Sequence, residues 1–519
     1  MGIFFNPGNG SFTKDRNYEI YVDKTELLKY LNRAIGTPGN CIAVSHARRF
    51  GKSHAAGMID AYYSLGSDSA KLFKGTKIAS DPDYEKYRNK YNVIHLDISS
   101  FWDFHKKDIV EKIIEDIFKE LKMDYPEEFD ERDRISYVLI KIYEKTGIPF
   151  VIIIDEWDCV VRNSTDQDLI HQYLQFLHSL FKSEESKSFL ALGYITGIMP
   201  IKKIKDESAL NNFEEYTMLK SRPITKYYGF TEEEVKDLCK RYDMDFETTK
   251  EWYNGYLIDG MHMYNPNSVS QAMKYHDFDS YWRNTSAFGT INNFIMMNYS
   301  GLKEDVLTML SGGKVMVDTE CFQNDLAEIH SKDDALTALI HLGYLGYDAD
   351  MLSAYIPNYE VAKAFQSALK TGEWKDVAAS ISKCDTLLMA TISGNTEKVA
   401  ELIELAHDTY TSILKYNDEN SLSCVLTMAY FTAPAYYTII REMPAGKGFA
   451  DFVFLPRANA GNRPAMIVEL KYNQSADTVI RQIKEKRYQG ALSGYESKIL
   501  LVGISYDSEK HHTCSIEEW

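Results

Sequence analysis

Two rhythms of apolar residues run through the chain. Short, continuously apolar blocks recur in the first two hundred residues: CIAVS (41–45), NVIHLDISSF (92–101), PFVIIIDEWD (149–158) and SFLALGYITG (188–197). Blocks of this length suit parallel strands covered on both faces. Between them, apolar residues recur every three to four positions in SHAAGMIDAYYSL (53–65), KDIVEKIIEDIFKELK (107–122), DRISYVLIKIYEKTG (133–147) and about 166–183, which predicts helices. NYEIYVDKTELLKYL (17–31) reads as a short strand entering a helix, with Asp23 or Thr25 as its cap. Strands alternating with helices predict a doubly wound α/β sheet over roughly the first 225 residues.

The rhythm changes after that. GFTEEEVKDLCKRY (229–242) opens with a capping box, Thr231 to Glu234. Residues 230–380 read as mainly helical, with a hairpin near GYLGYDADMLSAYIPN (343–358), and predict a small helical, winged-helix-like middle. From about 385 the helices give way to strands in GFADFVFLPR (448–457) and PAMIVELKYN (464–473). A helix, SADTVIRQIKEKRYQGAL (475–492), and a strand, KILLVGISYD (498–507), follow. The expected domains are therefore 1–228, 229–384 and 385–519.

A length of 519 residues exceeds what one core sustains, in agreement with several domains. No run of eighteen apolar residues occurs, so no membrane span is expected, and MGIFFNPGNGSF lacks the features of a secretory signal. Seven scattered cysteines with no C-x-x-C pair support neither a disulfide framework nor a zinc ribbon, and a reducing cytoplasm fits them. The net charge of −17 excludes non-specific coating of nucleic acid along the whole surface and leaves room only for a local basic groove.

Candidate chemistry begins at HARRFGKSHAA (46–56). Gly51-Lys52-Ser53 matches the end of a phosphate-binding loop, G-x-x-x-x-G-K-[ST], and it stands between a strand and a helix, as such a loop must. His46 occupies the place of the first glycine. Backbone N–H groups of the turn would draw phosphate, Lys52 would reach the β- and γ-phosphates, and Ser53 would hold Mg²⁺. Arg48 and Arg49 offer further phosphate contacts, or are solvated. Asp155, at the end of a buried strand, suits Mg²⁺, and the adjacent Glu156 suits a water-orienting carboxylate. Thr196, ending the fourth strand, reads either as a γ-phosphate sensor or as a satisfied strand-end hydroxyl. The plain alternative for the whole set is a turn glycine and a strand-ending aspartate.

A second constellation lies near the other end. Glu469 and Lys471 are two apart in a strand and so share a face, with Asp451 on a neighbouring strand. Two carboxylates suit Mg²⁺, and a positioned lysine would orient a water or stabilise phosphoryl charge, which is the chemistry of phosphodiester hydrolysis. The alternative is a cross-strand ion pair. Arg481, Lys484, Lys486 and Arg487 form either the side of a nucleic-acid groove or a solvated helix face. There is no H-E-x-x-H, G-x-S-x-G or G-x-G-x-x-G, and His511-His512 reads as a surface pair.

YVDKTELL, RRFGKS, IIIDEWD, YITGIMPIKK, YYGFTEEEV and YNPNSV together resemble the bacterial AAA-ATPase-like proteins that carry a C-terminal PD-(D/E)xK nuclease-like domain. The resemblance covers nearly the whole chain. It implies a P-loop NTPase sheet with helices on both faces and a C-terminal α/β, restriction-endonuclease-like domain. In that family the loop begins without its first glycine, usually with R-P before R-R-F-G-K-S; here His46-Ala47 stands in that place. The resemblance also implies that D…ExK is Asp451, Glu469 and Lys471, that Glu419 joins the metal, and that Gln482 supports the site. For Glu419 the alternative is a first-turn glutamate favoured by the helix dipole.

The expected function is an ATP-binding and ATP-hydrolysing protein coupled to a Mg²⁺-dependent nuclease acting on nucleic acid, DNA foremost. One rival is a nucleotide-switch signalling or interaction protein whose C-terminal domain binds without cutting. Another is an ATPase that remodels a protein partner. A homo-oligomer in which one subunit lends an arginine to the next is compatible with the sequence, with Arg222 as a candidate.

Overall fold

The computed structural model describes residues 2–128, 134–201, 210–281, 287–297, 299–320, 322, 329–371, 379, 381–414, 425–445, 448–457, 460–486, 498–509 and 511–519. Its contacts divide the chain into two compact units: residues 1–279 with 316–357, and residues 280–315 with 358–519. The stretch 229–384 is thus shared between the two.

The first unit is built on a five-stranded parallel sheet. Its strands are β1 (Cys41–Ser45), β2 (Asn92–Asp97), β3 (Phe150–Asp155), β4 (Leu190–Gly197) and β5 (Glu214–Thr217), in the order β2-β3-β4-β1-β5. The apolar blocks form these strands because both faces are covered. On β3, Phe150, Ile152 and Ile154 point into a core with Ile113, Ile117, Val138, Ile142 and Leu177 from the helices Ile109–Asp124, Ile135–Thr146 and Gln167–Phe181. Val151 and Ile153 point to the opposite core, against Leu28 and Leu31 of α1 (Glu26–Ala34) and Ile59 of α2 (Lys52–Tyr63). The period of two in the strand sends alternate residues to opposite helical layers.

Residues 17–24 do not form the expected strand; they run as bends and coil into α1. Thr25 does not cap α1 with its side chain. Its hydroxyl accepts from Ile78 N–H instead, while Asp23 accepts from Thr25 N–H. The capping box at Thr231 and Glu234 is present with both bonds, opening the helix Glu232–Tyr242. That helix follows β6 (Phe230–Thr231), which pairs with β8 (Met261–Tyr264), itself in a hairpin with β7 (Tyr256–Ile258). The hairpin turns at Asp259-Gly260, both at positive φ (51° and 79°). An Asp-Gly turn between apolar strands is a strong hairpin signal, so this hairpin was legible in the sequence although it was not among the expected elements. After the short strand β9 (Val315–Met316), the expected hairpin is found as β10 (Gly346–Asp348) and β11 (Ser353–Tyr355).

The second unit carries helices including Tyr359–Thr371 and Thr396–Leu414, then a five-stranded sheet in sequential order. Its strands are β12 (Tyr437–Ala445), β13 (Gly448–Pro456), β14 (Ala465–Tyr472), β15 (Ile499–Tyr506) and β16 (His512–Glu518). All pairs are antiparallel except β14–β15, which are parallel. The helix Ala476–Glu485 lies between those two in sequence, and its Ile480 and Ile483 bury against Ile467 and Leu501. Gly503 on β15 makes that packing possible: a Cβ there would stand 2.7 Å from Ala476 O. His512 is buried, only 8% exposed, and its Nε2 is 2.9 Å from His407 Nδ1, so the expected surface pair is a surface His511 beside a core His512. No helix among the described residues is long and apolar enough to cross a membrane.

Candidate nucleotide and phosphodiester sites

The carboxyl ends of β1, β2 and β3 open onto a cleft of about 1090 Å³. Arg48, Arg49, Gly51, Lys52, Ser53, Asp97, Asp155, Glu156 and Arg162 line it, and the helix start at Pro266 closes another side. Ligands of open α/β sheets bind at this edge. Gly51, at φ +91°, turns the chain into α2, and Arg49 takes φ +67°. Position 46 does not require glycine: His46 is not among the residues at positive φ. Its ring is fully buried, with Nε2 2.8 Å from Ser221 Oγ and the Tyr228 ring 5.3 Å away. Burial, with Lys52 and His341 adding to it, pushes the imidazole pKa down to about 3, so it is neutral at ordinary pH. The place of the missing glycine is filled by a core side chain bonded to the segment that follows the sheet.

Lys52 is buried, and its ammonium donates to His46 O at 2.8 Å and Ala47 O at 3.0 Å. Burial lowers its pKa, while Glu156, Asp155 and Asp158 hold it up. Ser53, Arg48 and Arg49 are exposed on the cleft wall. Asp155 ends β3, and its Oδ1 accepts both the Thr196 hydroxyl and Glu156 N–H. Thr196 itself is fully buried, so its hydroxyl serves Asp155 from behind. Glu156 holds φ +52°, a conformation that costs a non-glycine residue about 1 kcal/mol or more. Burial raises the Glu156 pKa, with Lys52 and Arg162 opposing.

Two residues outside the expected set complete this end. Arg162 Nη2 donates to Glu156 Oε2 at 2.9 Å, and its Nε donates to Asp158 Oδ2 at 2.7 Å. Asp158 is fully buried and also accepts from the N–H groups of Ile198 and Met199, just beyond β4. The i, i+4 spacing of Asp158 and Arg162 was a visible signal. Arg222 donates to Asp259 O in the hairpin turn.

In the second unit Asp451, Glu469 and Lys471 come together. Lys471 Nζ lies 3.0 Å from Glu469 Oε2 and 3.3 Å from Asp451 Oδ2. The reason is local. Register between β13 and β14 runs through Phe452↔Val468. Beyond that pair the two carboxylates take ladder donors, Glu469 Oε1 from Asp451 N–H at 3.3 Å and Asp451 Oδ2 from Leu470 N–H at 3.1 Å. Glu469 is buried, and burial together with the Asp451 charge pushes its pKa up to about 6 despite Lys471. Burial works against the Lys471 ammonium, but the two carboxylates outweigh it and raise its pKa. The Gln482 amide donates to Gln474 Oε1 at 3.0 Å. Lys484 is ion-paired with Glu517. Glu419 and Arg487 lie outside the described residues. Among the described residues no group of three or more His, Cys, Asp or Glu forms a metal-holding cluster, so the carboxylate pair with its lysine is the donor set on view.

The family described as "Predicted AAA-ATPase" matches residues 9–205, and the "PD-(D/E)XK nuclease superfamily" matches residues 417–519. The chain is similar to "Uncharacterized protein in vnfD 5'region" of Azotobacter chroococcum mcd 1, at 24% identity over 286 residues, 54% of this chain and 53% of the relative. The match therefore spans about half the length of that relative. It is also similar to the solved structure of the Aeropyrum pernix ORC2 protein in ADPNP–ADP complexes, at 11% identity and TM-score 0.25, covering 71% of this chain and 100% of that one. The two matches fall in this order along the chain, the AAA-ATPase match within the first unit and the PD-(D/E)XK nuclease superfamily match within the second.

Proposed function

We propose that the protein binds and hydrolyses ATP in the first unit and cleaves phosphodiester bonds of nucleic acid in the second. The observation that carries the reading is convergence. Lys52, Ser53, Asp155 and Glu156, about 100 residues apart in sequence, line one cleft, and Asp451, Glu469 and Lys471 lie within hydrogen-bonding distance of one another.

In the cleft, the loop N–H groups and α2 would receive the phosphates, and Lys52 would exchange its two carbonyl partners for phosphate oxygens. Ser53 and Asp155 offer a hydroxyl and a carboxylate, hard oxygen donors that fit Mg²⁺ sharing a nucleotide. Mg²⁺ there would neutralise phosphate charge. Glu156 would orient a water whose oxygen bonds to the γ-phosphorus as the bond to the β,γ-bridging oxygen breaks, giving ADP and phosphate. In the second unit, two carboxylates beside one lysine leave a negative site that also fits Mg²⁺, which would supply Lewis-acid activation there. Lys471 would donate to the phosphoryl oxygen on which charge develops.

The test is cleavage of labelled single- and double-stranded DNA and RNA with Mg²⁺ or Mn²⁺, with and without ATP. The native protein is compared with Asp451→Asn and Lys471→Ala. Metal-dependent cleavage lost in both variants supports the reading. Native protein that binds nucleic acid and cuts none of these substrates under either metal replaces the nuclease with a binding module.

A further inference from the structure

We propose that Arg162 is a positioning arginine that reads the γ-phosphate of the bound nucleotide in cis. The inference rests on the ATP reading of the cleft.

Three observations support it. First, Arg162 is rooted. Its Nε is fixed at 2.7 Å to Asp158, and Asp158 is in turn held by Ile198 and Met199 N–H at the end of β4. The guanidinium is therefore positioned by the sheet itself. Second, its free end is engaged with Glu156, the carboxylate that would orient the attacking water, at 2.9 Å. While that contact holds, Glu156 Oε2 is turned to the guanidinium. Third, Arg162 lines the same cleft as Lys52 and Ser53, and its side chain is only 10% exposed.

A guanidinium has five N–H donors in a planar fork, and the Asp158 and Glu156 contacts use two of them. Phosphate suits that fork at least as well as carboxylate does, and it carries more charge. A γ-phosphate beside Lys52 would compete with Glu156 for Nη2. Arg162 would then pair with the phosphate, and the Glu156 carboxylate would turn to the water. A diphosphate lacks the competing group and would leave the Arg162–Glu156 clasp closed. A purely structural role, tying Asp158 to Glu156 within one loop, would make no such distinction between nucleotides.

The experiment is calorimetric binding of Mg-ADP and of a Mg-bound, non-hydrolysable ATP analogue to the full chain. Native protein is compared with Arg162→Lys, which keeps the charge beside buried Asp158 and loses the fork. The double variant Arg162→Gln/Asp158→Asn removes the fork without stranding a buried carboxylate, and melting curves are recorded for all three. Native protein is expected to bind the analogue more tightly than ADP. Both variants should bind ADP within about twofold of native and lose about tenfold or more on the analogue, a loss of about 1.4 kcal/mol or more. In turnover, kcat should fall further than KM rises. Equal losses on both nucleotides, or no loss on either, overturn the assignment. Native protein that binds neither nucleotide overturns the ATP reading beneath it.

Discussion

His46 shows how a loop can dispense with its first glycine. The backbone at 46 needs no positive φ, and the space is spent on an imidazole bonded to Ser221. His46→Gly should therefore gain nothing in nucleotide affinity. It should lower the melting temperature, because it opens a cavity and orphans a buried hydroxyl. A tighter Mg-ATP affinity in His46→Gly would contradict this. The same residue also predicts a pH effect. Its folded pKa of about 3 lies below its unfolded value near 6.5, so the unfolded chain takes up the proton first. Stability is thus full above pH 6.5 and falls as pH drops below it, by about 1.4 kcal/mol per unit. His46→Gln keeps a hydrogen-bonding partner for Ser221 without titrating. Its apparent Tm between pH 7 and pH 5 should fall less steeply than that of the native protein, and parallel curves would refute the point. Lys52 and His341 are the other cations acting on His46.

At the scale of elements, the close approach at Gly503 is the feature most open to test. Gly503→Ala forces a methyl against Ala476 O and should destabilise the second unit by about 1–3 kcal/mol. Urea unfolding followed in that unit checks it, and an unchanged midpoint would show that the helix can retreat at no cost. Edges also explain what the sequence reading missed. β1, β3 and β4 announced themselves because every position is buried, giving continuous apolar blocks, and β2, an edge strand part-exposed only at His95 and Asp97, keeps most of that pattern. β5, with one neighbour and the sequence EEYT, and β16, HTCSIEE, are edge strands whose exposed positions dilute the pattern. β12 is the other edge of the second sheet. The candidate site residues were legible for a related reason. Lys52, Ser53, Asp155, Asp451, Glu469 and Lys471 sit at ends or faces of strongly patterned elements, where spacing fixes direction. Arg162 was less legible, since its importance comes from Asp158 and Glu156 meeting it in space. Gln482 was assigned from resemblance, and its amide donates to Gln474.

Over the whole molecule, the two constellations fall in separate compact units. Chemistry in one should therefore be removable without dismantling the other. Asp451→Asn should abolish cleavage and leave ATP turnover within about twofold of native, a comparison made on one preparation. Loss of both activities together, with an unchanged melting curve, would mean that the sites are not separable. Glu469→Gln should raise the melting temperature of the metal-free protein. It relieves a buried carboxylate whose pKa burial and the Asp451 charge push up to about 6. A lower melting temperature would show that the Lys471 contact outweighs the burial.

The most direct measurement is Mg-ATP binding by calorimetry to the native chain and to Lys52→Ala. Native protein should bind saturably with one nucleotide per chain, and Lys52→Ala should lose that binding while it keeps the fold. No binding by the native protein, or equal binding by both, would contradict the reading of HARRFGKS as a phosphate loop.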